Sequence, residues 1–86
     1  MSKQQNGTSR NAKDMQYLLK IGDNIRTARK HRGYSQEEFA GIAGFSRSYF
    51  NEVETGKRNI SILNLIKIIE VLNVNPNEII GSLKPK

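Results

Sequence analysis

Between Gly33 and Gly56 the chain alternates helix-start and helix-stop signals so closely that only short helices can be drawn through it. Ser35-Gln36-Glu37-Glu38 has the form of a capping box, in which the serine hydroxyl accepts from the Glu38 amide and the Glu38 carboxylate reaches back to the Ser35 amide. The helix it starts turns Phe39, Ala40 and Ala43 inward and stops at Gly44. Ser46 then caps a second helix with Phe50 and Val53 on its inner stripe, and Gly56 closes it. Two helices of about eight residues, joined by a turn of three or four, cross at roughly 90 to 120° and need a small residue where they touch. Ala40 is that residue. With Phe39, Ala43, Phe45, Phe50 and Val53 inside, the second helix leaves Ser46, Arg47, Ser48, Asn51, Glu52 and Thr55 outside.

The flanking segments supply three more helices. From Leu18 onward the period is helical, with Leu18, Ile21, Ile25 and Ala28 on one stripe, Lys20, Asp23, Arg26 and Lys30 on the other side, and Gly33 as the stop. Ser61 caps a helix whose inner face is predicted to be Ile62, Leu65, Ile66, Ile69 and Leu72. Asn75-Pro76-Asn77-Glu78 starts another, with asparagine as cap, proline at the first helical position and glutamate at the third. No strand pattern competes, so the expected fold is all-α: a compact five-helix bundle containing a helix-turn-helix. Eighty-six residues suit one domain. It is expected over residues 12–83, after a polar tail at residues 1–11 whose Ser, Gln, Asn and Gly content favours flexibility.

Composition then narrows the function. With no cysteine and a single histidine, His31, neither a disulfide framework nor a zinc site can be assembled, and no metal or cofactor is expected. Glu37 and Glu38 belong to a cap, and Glu52 and Glu54 face differently, so no acid/base pair for catalysis is in view and an enzyme is not expected. The N-terminus shows no export or transit pattern. The most apolar stretch, Ile60 to Val74, is interrupted by Asn64, Lys67, Glu70 and Asn73, so a cytoplasmic location without membrane contact is the expectation. Net charge is +6, divided as +6 over residues 1–34, −3 over 35–56 and +3 over 57–86. Positive charge therefore flanks the helix pair, as it would if the flanks met a polyanion. A helix exposed at its N-terminus in this way has the shape that enters a DNA major groove.

At this level of detail the chain resembles the Cro/C1-type (XRE) helix-turn-helix regulators, whose domain is the lambda repressor-like DNA-binding fold. The resemblance runs through Ile21-Gly22, Ile25-Arg26 and Arg29, through Gly33, Ser35-Gln36-Glu37-Glu38 and Ala40, through Ala43-Gly44 and Ser46-Arg47-Ser48-Tyr49, and through Glu54, Gly56-Lys57-Arg58 and the Leu/Ile-rich fourth helix. Phe45-Ser46-Arg47-Ser48-Tyr49 and Arg58-Asn59-Ile60-Ser61 are most similar to the controller proteins of restriction-modification systems. The resemblance implies a sequence-specific regulator of transcription that binds a palindromic operator in double-stranded DNA as a homodimer, in the nucleoid. Arg47, Ser48, Asn51, Glu52 and Ser46 are expected at base edges; Gln36, Tyr49, Lys57, Arg58 and Asn59 at phosphates. The resemblance also pairs Arg29 with Glu54 as an ion bridge from the first helix to the end of the third.

Leu63, Ile68 and Val71 fall outside the predicted inner stripe of the fourth helix. With Ile79, Ile80 and Leu83 they leave more apolar surface than so small a monomer should expose. These six residues are the expected dimer interface. Two other functions compete with this reading. An antitoxin of the same fold would cap a toxin as well as bind its own promoter. A single-strand RNA binder would need clustered aromatic platforms, whereas Tyr34 and Tyr49 lie apart.

Overall fold

The computed structural model describes residues 11–81 and Leu83, and among the described residues all regular structure is helical. Five helices follow in order: α1 (Ala12–His31), α2 (Gln36–Ala43), α3 (Arg47–Glu54), α4 (Ile62–Leu72) and α5 (Pro76–Ile80). The flexible tail expected at residues 1–11 lies, apart from Asn11, outside the described residues.

The start signals act as read. Ser35 and Glu38 form the reciprocal box, Ser46 accepts from the Tyr49 amide, Ser61 from the Asn64 amide and Asn75 from the Asn77 amide. Gly44 takes a left-handed φ of 82°, which lets the chain turn sharply between α2 and α3. The start of α1 differs from the sequence reading: the helix begins at Ala12 rather than near Leu18, because the Asn11 side chain accepts from the Asp14 amide and caps it. These first turns show no apolar period because they pack on little. Met15, Tyr17 and Leu19 remain exposed.

The core gathers Ile25 and Ala28 from α1, Phe39, Ala40 and Ala43 from α2, Phe50 and Val53 from α3, Leu65, Ile68 and Leu72 from α4, and Ile79 from α5. Phe39 is its centre, stacked on Phe50 at a centroid distance of 4.9 Å and edge-on to Tyr34 at 5.8 Å. Such ring pairs add about 0.5–1.5 kcal/mol each beyond the area they bury. Gly22 is where α1 lies against the end of α3. A Cβ there would stand 2.5 Å from the carbonyl oxygens of both Val53 and Glu54, so only glycine admits this approach.

The fourth helix is rotated relative to the sequence expectation. Ile62 is 66% exposed and Ile66 44%, whereas Ile68 is fully buried beside Leu65 and Leu72. Ile62 and Ile66 are therefore not core residues, and Ile68, expected at a dimer interface, is one. Ile79 is corrected in the same way. It is fully buried, and its carbonyl accepts from Asn24 Nδ2 at 2.8 Å, which fastens α5 to α1. Neither Ile68 nor Ile79 has surface to offer a partner. Of the remaining four, Leu63 and Ile80 are exposed while Val71 and Leu83 are half-buried.

Candidate nucleic-acid interface

Three supports hold α3 in place. Phe50 and Val53 anchor its inner face in the core, Gly22 allows α1 to close on its last turn, and the C-terminal residue Glu54 is tied to Arg29. Arg29 Nε donates to Glu54 Oε2 at 2.7 Å and Nη2 to Oε1 at 3.1 Å, while Nη1 donates to the Tyr34 carbonyl at 2.8 Å. The side chains are 8% and 1% exposed. The ion bridge implied by the resemblance is present, and it fixes the first helix, the α1–α2 turn and the third helix to one another.

On this frame the residues expected at base edges fall into two groups. Arg47 and Ser48 are exposed in the first turn of α3, and their side chains make no hydrogen bond or ion pair among the described residues. They are available to a ligand. Ser46 is exposed but its hydroxyl oxygen caps the helix at 3.0 Å from the Tyr49 amide, leaving its hydroxyl proton to donate. Asn51 is exposed and its Nδ2 donates to Gln36 Oε1 at 3.4 Å. Glu52 accepts from Arg58 Nε at 3.0 Å, with both side chains 40–50% exposed. At such exposure the pair is worth about 0–1 kcal/mol, so either member can be drawn away by a stronger partner.

The residues expected at phosphates surround α3. Gln36, the first residue of α2, is half-buried and donates from Nε2 to Glu54 Oε1 at 2.9 Å, so its amide already has a partner on each side. Tyr49 is half-buried, its ring 5.1 Å from that of Phe45, and its hydroxyl accepts from Asn64 Nδ2 at 2.9 Å. The phenolic proton is still free to donate. The Arg58 guanidinium lies 5.1 Å from the centre of the Tyr49 ring. Lys57, Arg58 and Asn59 are exposed in the loop that leaves α3, and Asn59 borders a shallow groove with Asp14, Tyr17 and Leu18 of α1.

Sequence reasoning missed the polar chain that joins Arg29, Glu54, Gln36 and Asn51. Glycine within the amphipathic stripe of α1 was a legible sign of the close approach at Gly22. Among the described residues no group of His, Asp and Glu could hold a metal ion, and no helix is long and apolar enough to cross a membrane.

Two short helices, α2 and α3, joined by a tight turn at Gly44, with the first turn of the second exposed, are the architecture of the helix-turn-helix class of DNA-binding domains. The chain belongs to the helix-turn-helix family of transcriptional regulators, whose profile matches residues 25–79. It is 33% identical over 67 residues to the control protein C.MunI of Mycoplasma sp, covering 77% of this chain and 90% of that one. The same identity over 67 residues relates it to the uncharacterized regulator y4dJ of Sinorhizobium fredii, covering 78% and 84%. Among solved structures, the restriction-modification controller protein C.AhdI from Aeromonas hydrophila superposes with a TM-score of 0.71 at 38% identity, over 76% of this chain and 94% of that one.

Proposed function

We propose that this protein is a sequence-specific regulator that binds a palindromic operator in double-stranded DNA as a homodimer, and that it serves as the controller protein of a restriction-modification system. The observation that carries the DNA reading is the exposed first turn of α3, where Arg47 and Ser48 stand unpaired among the described residues on a helix fixed by Phe50, Gly22 and the Arg29–Glu54 pair. Arg47 reaches a guanine, and Lys57, Arg58, Asn59 and the Tyr49 hydroxyl meet phosphates on either side. Similarity to C.MunI and C.AhdI supports the controller role. The protein catalyses no reaction of its own and acts in the cytoplasm, at the nucleoid.

The dimer is supported by the outer face of α4. Ile62, Leu63 and Ile66 are 66%, 73% and 44% exposed, more apolar surface on one short helix than solvent contact explains. A twofold contact there covers it and sets two reading helices toward successive grooves.

Selection of bound duplexes from a random pool tests the whole reading. Two inverted half-sites spaced about one helical turn, roughly 34 Å, are expected. Enrichment of a single unpaired half-site would remove the dimer from the proposal, and absence of any enriched sequence would remove sequence-specific DNA binding.

A further inference from the structure

The side chains that connect the buried ion pair to the reading helix all point their polarity one way. Glu54 Oε1 accepts from Arg29 Nη2 at 3.1 Å and from Gln36 Nε2 at 2.9 Å, and Oε2 accepts from Arg29 Nε at 2.7 Å. A carboxylate bound to a guanidinium can only accept, so the amide that faces it must present its NH2 group. The Gln36 oxygen is thereby turned to the opposite side, where it accepts from Asn51 Nδ2 at 3.4 Å. The same constraint passes on once more. An amide that gives its nitrogen to Gln36 keeps its oxygen for what lies beyond, and Asn51 is exposed on α3 one turn after Arg47.

We propose that Gln36 is a positioning residue for base recognition: it holds Asn51 with Oδ1 turned to the DNA, so that Asn51 selects a base bearing an exocyclic amino group, adenine N6 or cytosine N4, over guanine O6 or thymine O4. This rests on the DNA-binding function proposed above and names what one position of the reading helix distinguishes. In the major groove adenine and cytosine offer amino donors where guanine and thymine offer carbonyl acceptors. A free asparagine serves both by rotating its amide through half a turn. Here that rotation would set Asn51 Oδ1 against Gln36 Oε1, acceptor against acceptor. Gln36 cannot rotate in compensation, because its oxygen would then face the Glu54 carboxylate. The second Nδ2 hydrogen of Asn51 remains available for adenine N7, which makes adenine the first choice of the two. Gln36 spends its amide oxygen and one Nε2 hydrogen within the protein, so this positioning role leaves at most its second Nε2 hydrogen for the phosphate contact expected of it.

The experiment is selection from a random duplex pool with the full chain, run on the unaltered protein and on Asn51→Ala, Gln36→Leu and Gln36→Ala. The Gln36 truncations leave both Arg29 contacts to Glu54 in place, and two side chains of different bulk separate loss of the amide from a packing effect. Asn51→Ala identifies the base position by abolishing its preference. At that position the unaltered protein should favour adenine or cytosine over guanine and thymine by about tenfold, within the range that one good base contact supplies. Both Gln36 variants should reduce the ratio to within about twofold while preferences elsewhere in the operator persist. A preference for guanine or thymine at the Asn51 position overturns the proposal. So does a uniform loss of affinity in the Gln36 variants with every preference intact, which would make Gln36 a phosphate contact. An operator found with an unchanged ratio in both Gln36 variants sinks the relay alone, whereas no enriched sequence at all sinks the relay together with the DNA-binding function.

Discussion

Arg29 and Glu54 meet at two points, Nε to Oε2 at 2.7 Å and Nη2 to Oε1 at 3.1 Å, with both side chains withdrawn from water. Removing either partner strands the other charge inside the protein, so Arg29→Ala or Glu54→Ala should lower stability by about 3–5 kcal/mol, against about 0–1 for an exposed pair. Arg29→Lys should rescue little, since an ammonium cannot make the forked contact. Urea denaturation of the single and double variants measures the coupling, and additive losses would show that the pair contributes nothing as a pair.

Two glycines should respond in opposite directions to the same methyl group. Gly22→Ala drives a Cβ to 2.5 Å from the Val53 and Glu54 carbonyl oxygens and must push α1 off α3. It should be among the most destabilising single substitutions, at about 3 kcal/mol or more. Gly41 lies within α2 with nothing inside 4 Å of the added atom, so Gly41→Ala should stabilise by about 0.5–1 kcal/mol through a stiffer unfolded chain. Thermal melts of both variants check the pair of signs.

Arg47 and Arg58 should be told apart by how their loss distributes over sequences. Arg47→Ala is expected to cost about 1–3 kcal/mol of discrimination at one guanine-containing position while non-specific affinity stays nearly the same. Arg58→Ala should weaken all sequences alike and flatten the slope of log K against log salt by about one unit. Titrations at several salt concentrations, on operator and scrambled duplex, decide between the roles. An unchanged slope for Arg58→Ala would leave that residue merely paired with Glu52.

The α2 cap carries an acid-sensitive contribution. The Ser35 backbone N–H first, and the Ser35 hydroxyl second, hold the Glu38 carboxyl below its ordinary value of 4.5. Because the folded-state value is the lower one, the stabilisation is complete above the ordinary value and fades as pH falls through the folded one. Glu38→Gln keeps an acceptor for the Ser35 amide without a charge. Its stability should therefore change less than that of the unaltered protein below about pH 4.5, as followed by denaturant midpoints across the acid range.

Local chemistry was legible in the sequence wherever a backbone group needed a partner close by. Ser35, Ser46, Ser61 and Asn75 cap helices where they were expected to, and Gly44 turns the chain, because each acts within a few residues of itself. The orientation of α4 was not legible. Asn64, Lys67 and Glu70 mark one outer side of that helix, but Ile62, Leu63, Leu65, Ile66, Ile68, Ile69, Val71 and Leu72 cover the rest, an apolar arc too wide for the pattern alone to say which part of it enters the core. Packing against α1 and α2 selects Leu65, Ile68 and Leu72. The Gln36–Asn51 link was hidden for a related reason: amide orientation is dictated by the Glu54 carboxylate, which spacing along the chain does not reveal.

That rotation of α4 also relocates the dimer test. A charge at Ile68 would enter a fully buried site and unfold the domain, and a charge at half-buried Val71 would confuse folding with association. Ile66 is 44% exposed beside Ile62 and Leu63, and a glutamate there meets water in the monomer but loses it in a twofold contact. Ile66→Glu should therefore keep the helical circular dichroism and melting of a folded domain while its mass in sedimentation equilibrium at micromolar concentration falls to 9.8 kDa from about twice that value. Operator affinity should drop with it, because two half-sites are then bound by independent monomers rather than by one linked pair of reading helices. A mass of 9.8 kDa for the unaltered protein would rule out this interface together with the dimer. A stable dimer in Ile66→Glu would place the contact elsewhere, with Ile80 of α5, 40% exposed, the next residue to charge.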